Sequence, residues 1–277
     1  IPMLKANATG DVYAIWADER NGGRYDIFLN YSNDHGATWQ TDDIKLTGDS
    51  HLFVIDPAIE VVGDKVVVAW VQTDVRDTFT VVTRTSMDRG ATWSELRTIY
   101  KESSQPVTPK LTYGTNGLTA CWATALGAGC AGSGDFGTAW TKWAKVEGTD
   151  RTGLVLTQVD PQGRTHLVSN QRSEDGKSAG LFYSHGDGTS GFTAATPVSR
   201  KPLYQSKAIA PALAVDSKGG VFIAWMDYFY IKPLVAATFS VDGGKSWREP
   251  YVLSYFGRTD EQLFPVVNSN TDGGVTL

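Results

Sequence analysis

"SNDHGATW" occupies residues 32–39, a close copy, "SMDRGATW", returns at 86–93, and "SVDGGKSW" stands at 240–247. The shared pattern is Ser-x-Asp-x-Gly-x-Ser/Thr-Trp. The first two opening serines are 54 residues apart and the first and last 208, four steps of 52. Self-similarity at such a period marks an architecture of stacked repeats. A degenerate copy, "SHGDGTSGF" at 184–192, falls near a missing step, with Phe192 in place of Trp. Near residue 138, where another is due, only "GDFGTAWTKW" is found, and that copy reads as lost.

A second element repeats in phase. "DVYAIW" (11–16), "KVVVAW" (65–70), "GLTACW" (117–122) and "GVFIAW" (220–225) each predict a β-rich strand ending in Trp. A proline and a short apolar strand precede each, as "IPML", "DPAI", "TPKL" and "APAL", and "FPVV" follows at 264–267. Turn-forming Gly, Asn and Asp separate the two strands. Each unit thus holds about four short strands in roughly 50 residues, the pattern of a propeller blade. The expectation is an all-β chain: a single six-bladed β-propeller domain over 1–277, with four-stranded antiparallel blades near 1–48, 49–104, 105–150, 151–203, 204–258 and a partial 259–277. Because the last blade stops within its second strand, the native polypeptide is expected to continue past Leu277 or to be completed by a neighbouring subunit.

The 277 residues are 41% hydrophobic and 20% charged, with 29 Gly and 9 Trp, an ordinary globular balance able to bury a large core. A net charge of -5 and the lack of a basic run argue against a nucleic-acid partner. The apolar runs are strand-sized, so no membrane span is expected. Cys121 and Cys130 read equally as a local disulfide or as two buried thiols. His51, His166 and His185 are scattered, and neither a metal site nor a cofactor is expected.

The Ser-x-Asp-x-Gly-x-Ser/Thr-Trp pattern resembles the Asp box, or BNR repeat, of sialidase-like β-propellers, and the resemblance covers nearly the whole chain. It implies that each box closes the turn between the third and fourth strands of its blade, on the face opposite an active site. Asp34, Asp88 and Asp242 then accept backbone N–H bonds within the turn. Gly36, Gly90 and Gly244 suit a backbone with positive φ, and Trp39, Trp93 and Trp247 pack between sheets. The box is scaffold.

Function belongs to the other face, built from the loops between second and third strands and from the blade-to-blade connections. A sialidase grips a carboxylate with three arginines and uses a Tyr nucleophile, a Glu that activates it and an Asp acid. The resemblance makes Asp26 a candidate acid and Arg20 a pocket arginine; Arg172, Arg258 and Arg76 lie in loops of the right kind. For the Tyr–Glu pair the choices are Tyr228 or Tyr230 with Glu174 or Glu261. Non-catalytic recognition asks for less. Tyr228, Phe229 and Tyr230, beside Asp227, offer rings to stack on sugars while carboxylates and Arg76 bind hydroxyls. The leading expectation is therefore a secreted or cell-surface propeller that recognises a glycan or surface partner without catalysis. Sialidase-type hydrolysis of terminal sugars is the alternative, and an assembly module completed by a neighbouring chain is the third.

Overall fold

The computed structural model describes residues 2–20, 22–48, 53–73, 78–174, 179–199, 208–228, 234–253, 265–269 and 275–276. They form antiparallel sheets, each made of strands consecutive in the chain. Blade 1 is β1 (Met3–Ala6), β2 (Val12–Asp18), β3 (Asp26–Ser32) and β4 (Ile44–Lys45). Blade 2 is β5 (Phe53–Val62), β6 (Lys65–Thr73), β7 (Phe79–Ser86) and β8 (Arg97–Glu102). Blade 3 is β9 (Val107–Gly114), β10 (Gly117–Thr124), β11 (Gly127–Ser133) and β12 (Ala144–Lys145). Blade 4 holds β13 (Thr152–Val159), β14 (Thr165–Arg172) and β15 (Ala179–Asp187), with two short outer strands, β16 (Gly191–Phe192) and β17 (Thr196–Pro197), both pairing with β15. Blade 5 is β18 (Ala208–Val215), β19 (Val221–Asp227), β20 (Leu234–Ser240) and β21 (Tyr251–Val252); a sixth sheet pairs β22 (Asn268–Ser269) with β23 (Val275–Thr276). The first strands of neighbouring blades contact one another around a central channel, the arrangement of a β-propeller whose last blade is represented by two short strands among the described residues.

The second strands explain the continuous apolar runs. β6 and β10 are buried along nearly their whole length, because each blade is packed on both faces. Trp70, Trp122 and Trp225 are wholly buried there. β2 instead alternates between buried and half-buried positions, and Trp16 is only half-buried. Cores form between blades: Tyr13, Ile15 and Leu29 of blade 1 share a cluster with Val66, Val68 and Trp70 of blade 2. Cys121 and Cys130, directly opposed across β10 and β11, form a disulfide with Cα atoms 4.1 Å apart.

The repeated turns share one hydrogen-bond set. In the first, Ser32 Oγ donates to Asp34 Oδ1 (2.6 Å) and accepts from the Gly36 N–H (2.9 Å), while Asp34 accepts from Thr38 N–H (2.8 Å) and Thr38 Oγ (2.6 Å). Ser86–Asp88–Gly90 and Ser240–Asp242–Gly244 repeat it. These donors hold Asp34 down at about 2. Gly36, Gly90 and Gly244 take φ of 86°, 93° and 89°, which glycine adopts without Cβ cost.

Two readings of the repeat are corrected. The copy read as lost is present as "SGDFGTAW" at 133–140: Ser133 Oγ donates to Asp135 (2.8 Å) and accepts from Gly137 N–H (2.7 Å), and Ala139 N–H reaches Asp135 Oδ1 (2.8 Å). Ala139 suffices because the essential donor at that position is the backbone. Trp39 does not pack between sheets; it is 41% exposed, whereas Trp93, Trp140 and Trp247 pack against the inter-blade cores.

Candidate functional site at the channel mouth

Antiparallel order puts the Asp turns at one end of the channel and the starts of the inner strands at the other. At that second end, four inner strands share an irregularity. Asp56, Thr108, Arg151 and Ala210 have φ of 52°, 43°, 52° and 48°. In blades 2, 3 and 5 the residue falls where the inner strand carries one residue more than its partner, as Ile55 to Ala58 against Val71 to Ala69; in blade 4 Arg151 stands just ahead of such a bulge, between Thr152 and Leu154. Three of the four precede a proline, Pro57, Pro109 or Pro211, which has no N–H to give a ladder. A bulge absorbs the missing donor and re-aims the neighbouring side chain.

Between blades 1, 2 and 3 the bulges border a cavity of about 560 Å³. Tyr25 and Phe53, each 42% exposed, stand on its wall with Met3 and Pro57. Asp56 Oδ2 accepts from Thr108 N–H (3.1 Å) and Thr108 Oγ (3.3 Å), tying blade 2 to blade 3. Lys110 lines the same cavity at the ladder position held by Met3, Ala58 and Ala212 in other blades. It makes no hydrogen bond or ion pair among the described residues. Burial lowers its affinity for a proton, and the Asp56 charge opposes that. An ammonium that makes no direct ion pair among the described residues, beside exposed rings, suits a polar ligand bearing negative charge.

On blade 4, at the same end, Arg151 Nη2 lies 3.2 Å from Glu174 Oε1, and the Arg172 guanidinium lies over Gly153. The structure thus gathers Arg172 and Glu174 with Arg151, which sequence reasoning did not single out.

Arg20 and Asp26 find their partners within blade 1. Arg20 is held by Asp18 (2.7 Å) and by Asp43 (2.5 Å), with its guanidinium 4.4 Å over Phe28. Asp26 is 4% exposed; it accepts from Thr47 Oγ at 2.6 Å and lies 3.2 Å from Lys45 Nζ. Neither lines the cavity. Asp227 is also buried, its Oδ2 accepting from Trp225 Nε1 (3.0 Å) as Asp18 accepts from Trp16 and Gln72 from Trp70. Tyr228 beside it is 37% exposed. Arg76, Phe229, Tyr230, Arg258 and Glu261 lie outside the described residues. Among the described residues, no three of His, Cys, Asp or Glu are grouped to hold a metal ion.

No family model matches the chain, and no curated protein does. Solved structures do match. One is the Hadza microbial sialidase Hz136, 18% identical with a TM-score of 0.59, the match covering 97% of this chain and 60% of the other. Another is the NanB sialidase of Streptococcus pneumoniae, 10% identical with a TM-score of 0.58 over 92% of this chain and 61% of that one. A third is the alpha-L-arabinanase of Penicillium chrysogenum, 13% identical with a TM-score of 0.61, covering 91% and 92%. The chain spans about 60% of the length of the two sialidases. At these identities the likeness is one of fold: this chain is a β-propeller of the architecture found in two sialidases and an arabinanase.

Proposed function

We propose that the protein recognises carbohydrate at the channel mouth without cleaving it, as a secreted or cell-surface propeller. The observation that carries this reading is the cavity between blades 1 and 3. It presents two half-exposed rings, Tyr25 and Phe53, beside the Asp56 carboxylate and the Lys110 ammonium. Rings stack on the apolar faces of sugars, while Asp56 accepts from hydroxyls and Lys110 meets an anionic substituent. Tyr228, exposed just after β19 of blade 5, offers a further ring. The Cys121–Cys130 disulfide supports an oxidising compartment. No helix is long and apolar enough to cross a membrane among the described residues.

The test is a glycan array followed by calorimetry on the ligands found, with wild type, Tyr25→Ala and Phe53→Ala. Binding that falls in both variants supports the site. An empty array, or binding indifferent to both changes, removes it.

The cluster of Arg151, Arg172 and Glu174 favours a second reading, hydrolysis of sialidase type. It requires turnover of a fluorogenic sialoside that Arg172→Ala abolishes; no turnover by the wild-type chain rejects it.

A further inference from the structure

At the opposite end of the molecule, blade 4 meets the Asp turn of blade 5 through a buried polar chain that neither sheet pairing nor ligand recognition requires. His166 on β14 and Tyr183 on β15 are 0% and 2% exposed. His166 Nδ1 lies 2.6 Å from Tyr183 Oη, and His166 Nε2 lies 3.2 Å from Asp160 Oδ2. Asp160 also accepts from Arg164 N–H (2.8 Å) and Arg164 Nε (2.7 Å). Tyr183 Oη lies 3.1 Å from the carbonyl oxygen of Gly243, in the turn of blade 5.

Counting hydrogens fixes what this chain can do. Asp160 is held ionised: burial would raise its carboxyl, but the Arg164 and His166 donors outweigh it. An ionised carboxylate only accepts, so Nε2 carries the hydrogen. In the neutral ring Nδ1 is then a bare acceptor, and the single Tyr183 hydrogen goes to it. The Gly243 carbonyl receives nothing from Tyr183. In the protonated ring Nδ1–H donates to Tyr183 Oη, and the hydroxyl hydrogen is free to turn to Gly243.

We propose that His166 is a proton-operated latch on the seam between blades 4 and 5, one proton on its ring moving the Tyr183 hydroxyl hydrogen from His166 to the Gly243 carbonyl. One N–H bond forms at Nδ1 as a solvent hydronium gives up its proton, and otherwise only hydrogen bonds change. The proton comes from solvent.

The surrounding charges set the range. From the turn between β13 and β14 come Asp160 and Arg164; from β15, Tyr183 and His185; from the turn of blade 5, Asp242 and Lys245. Burial lowers the His166 ring below its ordinary 6.5, Asp160 opposes, and Arg164 and His185 add to the lowering. The ring is neutral at pH 7, and it charges below the ordinary imidazole range. Tyr13 of blade 1 makes the corresponding bond to the Arg89 carbonyl at 3.3 Å, with no histidine beside it in the hydrogen-bond set, so that seam lacks the switch.

The experiment is NMR of the full chain carrying ¹⁵N-histidine and ¹³C-carbonyl glycine, titrated from pH 8 to the acid limit of folding. The expected result is an Nε2–H tautomer for His166 at pH 7.5, and a Gly243 carbonyl shift with the same midpoint as the ring. In Tyr183→Phe the Gly243 response is lost while His166 still titrates. His166→Gln, which keeps a polar group, gives a Gly243 signal with no such midpoint. An Nδ1–H tautomer, a ring that stays neutral throughout, a flat Gly243 carbonyl, or a response that survives Tyr183→Phe overturns the latch.

Discussion

Gly244 lies so close to Tyr183 that a Cβ added to it would sit 2.1 Å from the Tyr183 hydroxyl oxygen. The two residues belong to adjacent blades, and the contact makes the Asp turn of blade 5 part of an inter-blade seam. The first turn is free of such a neighbour: a Cβ on Gly36 would meet nothing within 4 Å. Both glycines have positive φ, so Gly36→Ala carries only the backbone cost, about 1 kcal/mol, while Gly244→Ala adds overpacking and costs about 3 kcal/mol. Urea unfolding of the two variants checks the difference. Equal midpoints would show that the seam yields freely.

Acid should weaken the fold in two stages. His166 and His185 are lowered mainly by burial, so the unfolded chain takes up protons that the fold resists, and stability falls as pH drops below about 6.5. Asp34, Asp88, Asp135 and Asp242 are depressed by donors of their own turns; their contribution is full above about pH 4 and lost as pH falls toward 2. Scanning calorimetry between pH 8 and 2 measures both. A melting temperature unchanged between pH 4 and 2 contradicts the role given to the carboxylates.

Lys110→Met keeps length and apolar bulk while removing the charge from the cavity. Affinity for an acidic oligosaccharide is expected to fall about tenfold, with little change for its neutral counterpart. Equal losses for both would mean that the lysine serves packing alone.

The disulfide closes a hairpin already held by the β10–β11 ladder. Replacing Cys121 and Cys130 together by Ala is expected to cost about 2–3 kcal/mol, read from denaturant unfolding with and without reductant. Wild type in reductant should approach the variant, and the variant should ignore reductant.

Strand order and the scaffold turns were legible because they are local: the Trp strands and the Ser-Asp-Gly spacing recur within single blades. The turn at 133–140 escaped reading because Ala139 replaces a hydroxyl that supplies only a second bond, the first coming from its backbone. The cavity was less accessible for a different reason. Tyr25, Phe53 and Lys110 come from three blades, and nothing local announces that their loops meet. The available signal was Lys110 itself, a charge where the other proline strands have Met, Ala or Val. Arg20 and Asp26 sat in a phrase that fits a pocket, yet each found its partners within blade 1.

The left-handed residues that open the inner strands separate two tasks that a regular strand would merge. In blades 2, 3 and 5 that residue falls within a bulge, so the ladder pairs around it, and in blade 4 it stands just ahead of one. Asp, Thr, Arg and Ala occupy the four places. The channel mouth thereby carries side chains that no ladder hydrogen bond depends on, with Asp56 and Thr108 coupled to each other and Arg151 and Ala210 outside that pair. Rewriting Arg151 or Ala210 changes what the rim offers a ligand and leaves strand register intact, which makes these places the natural ground for evolving, or engineering, a new specificity on an unaltered frame.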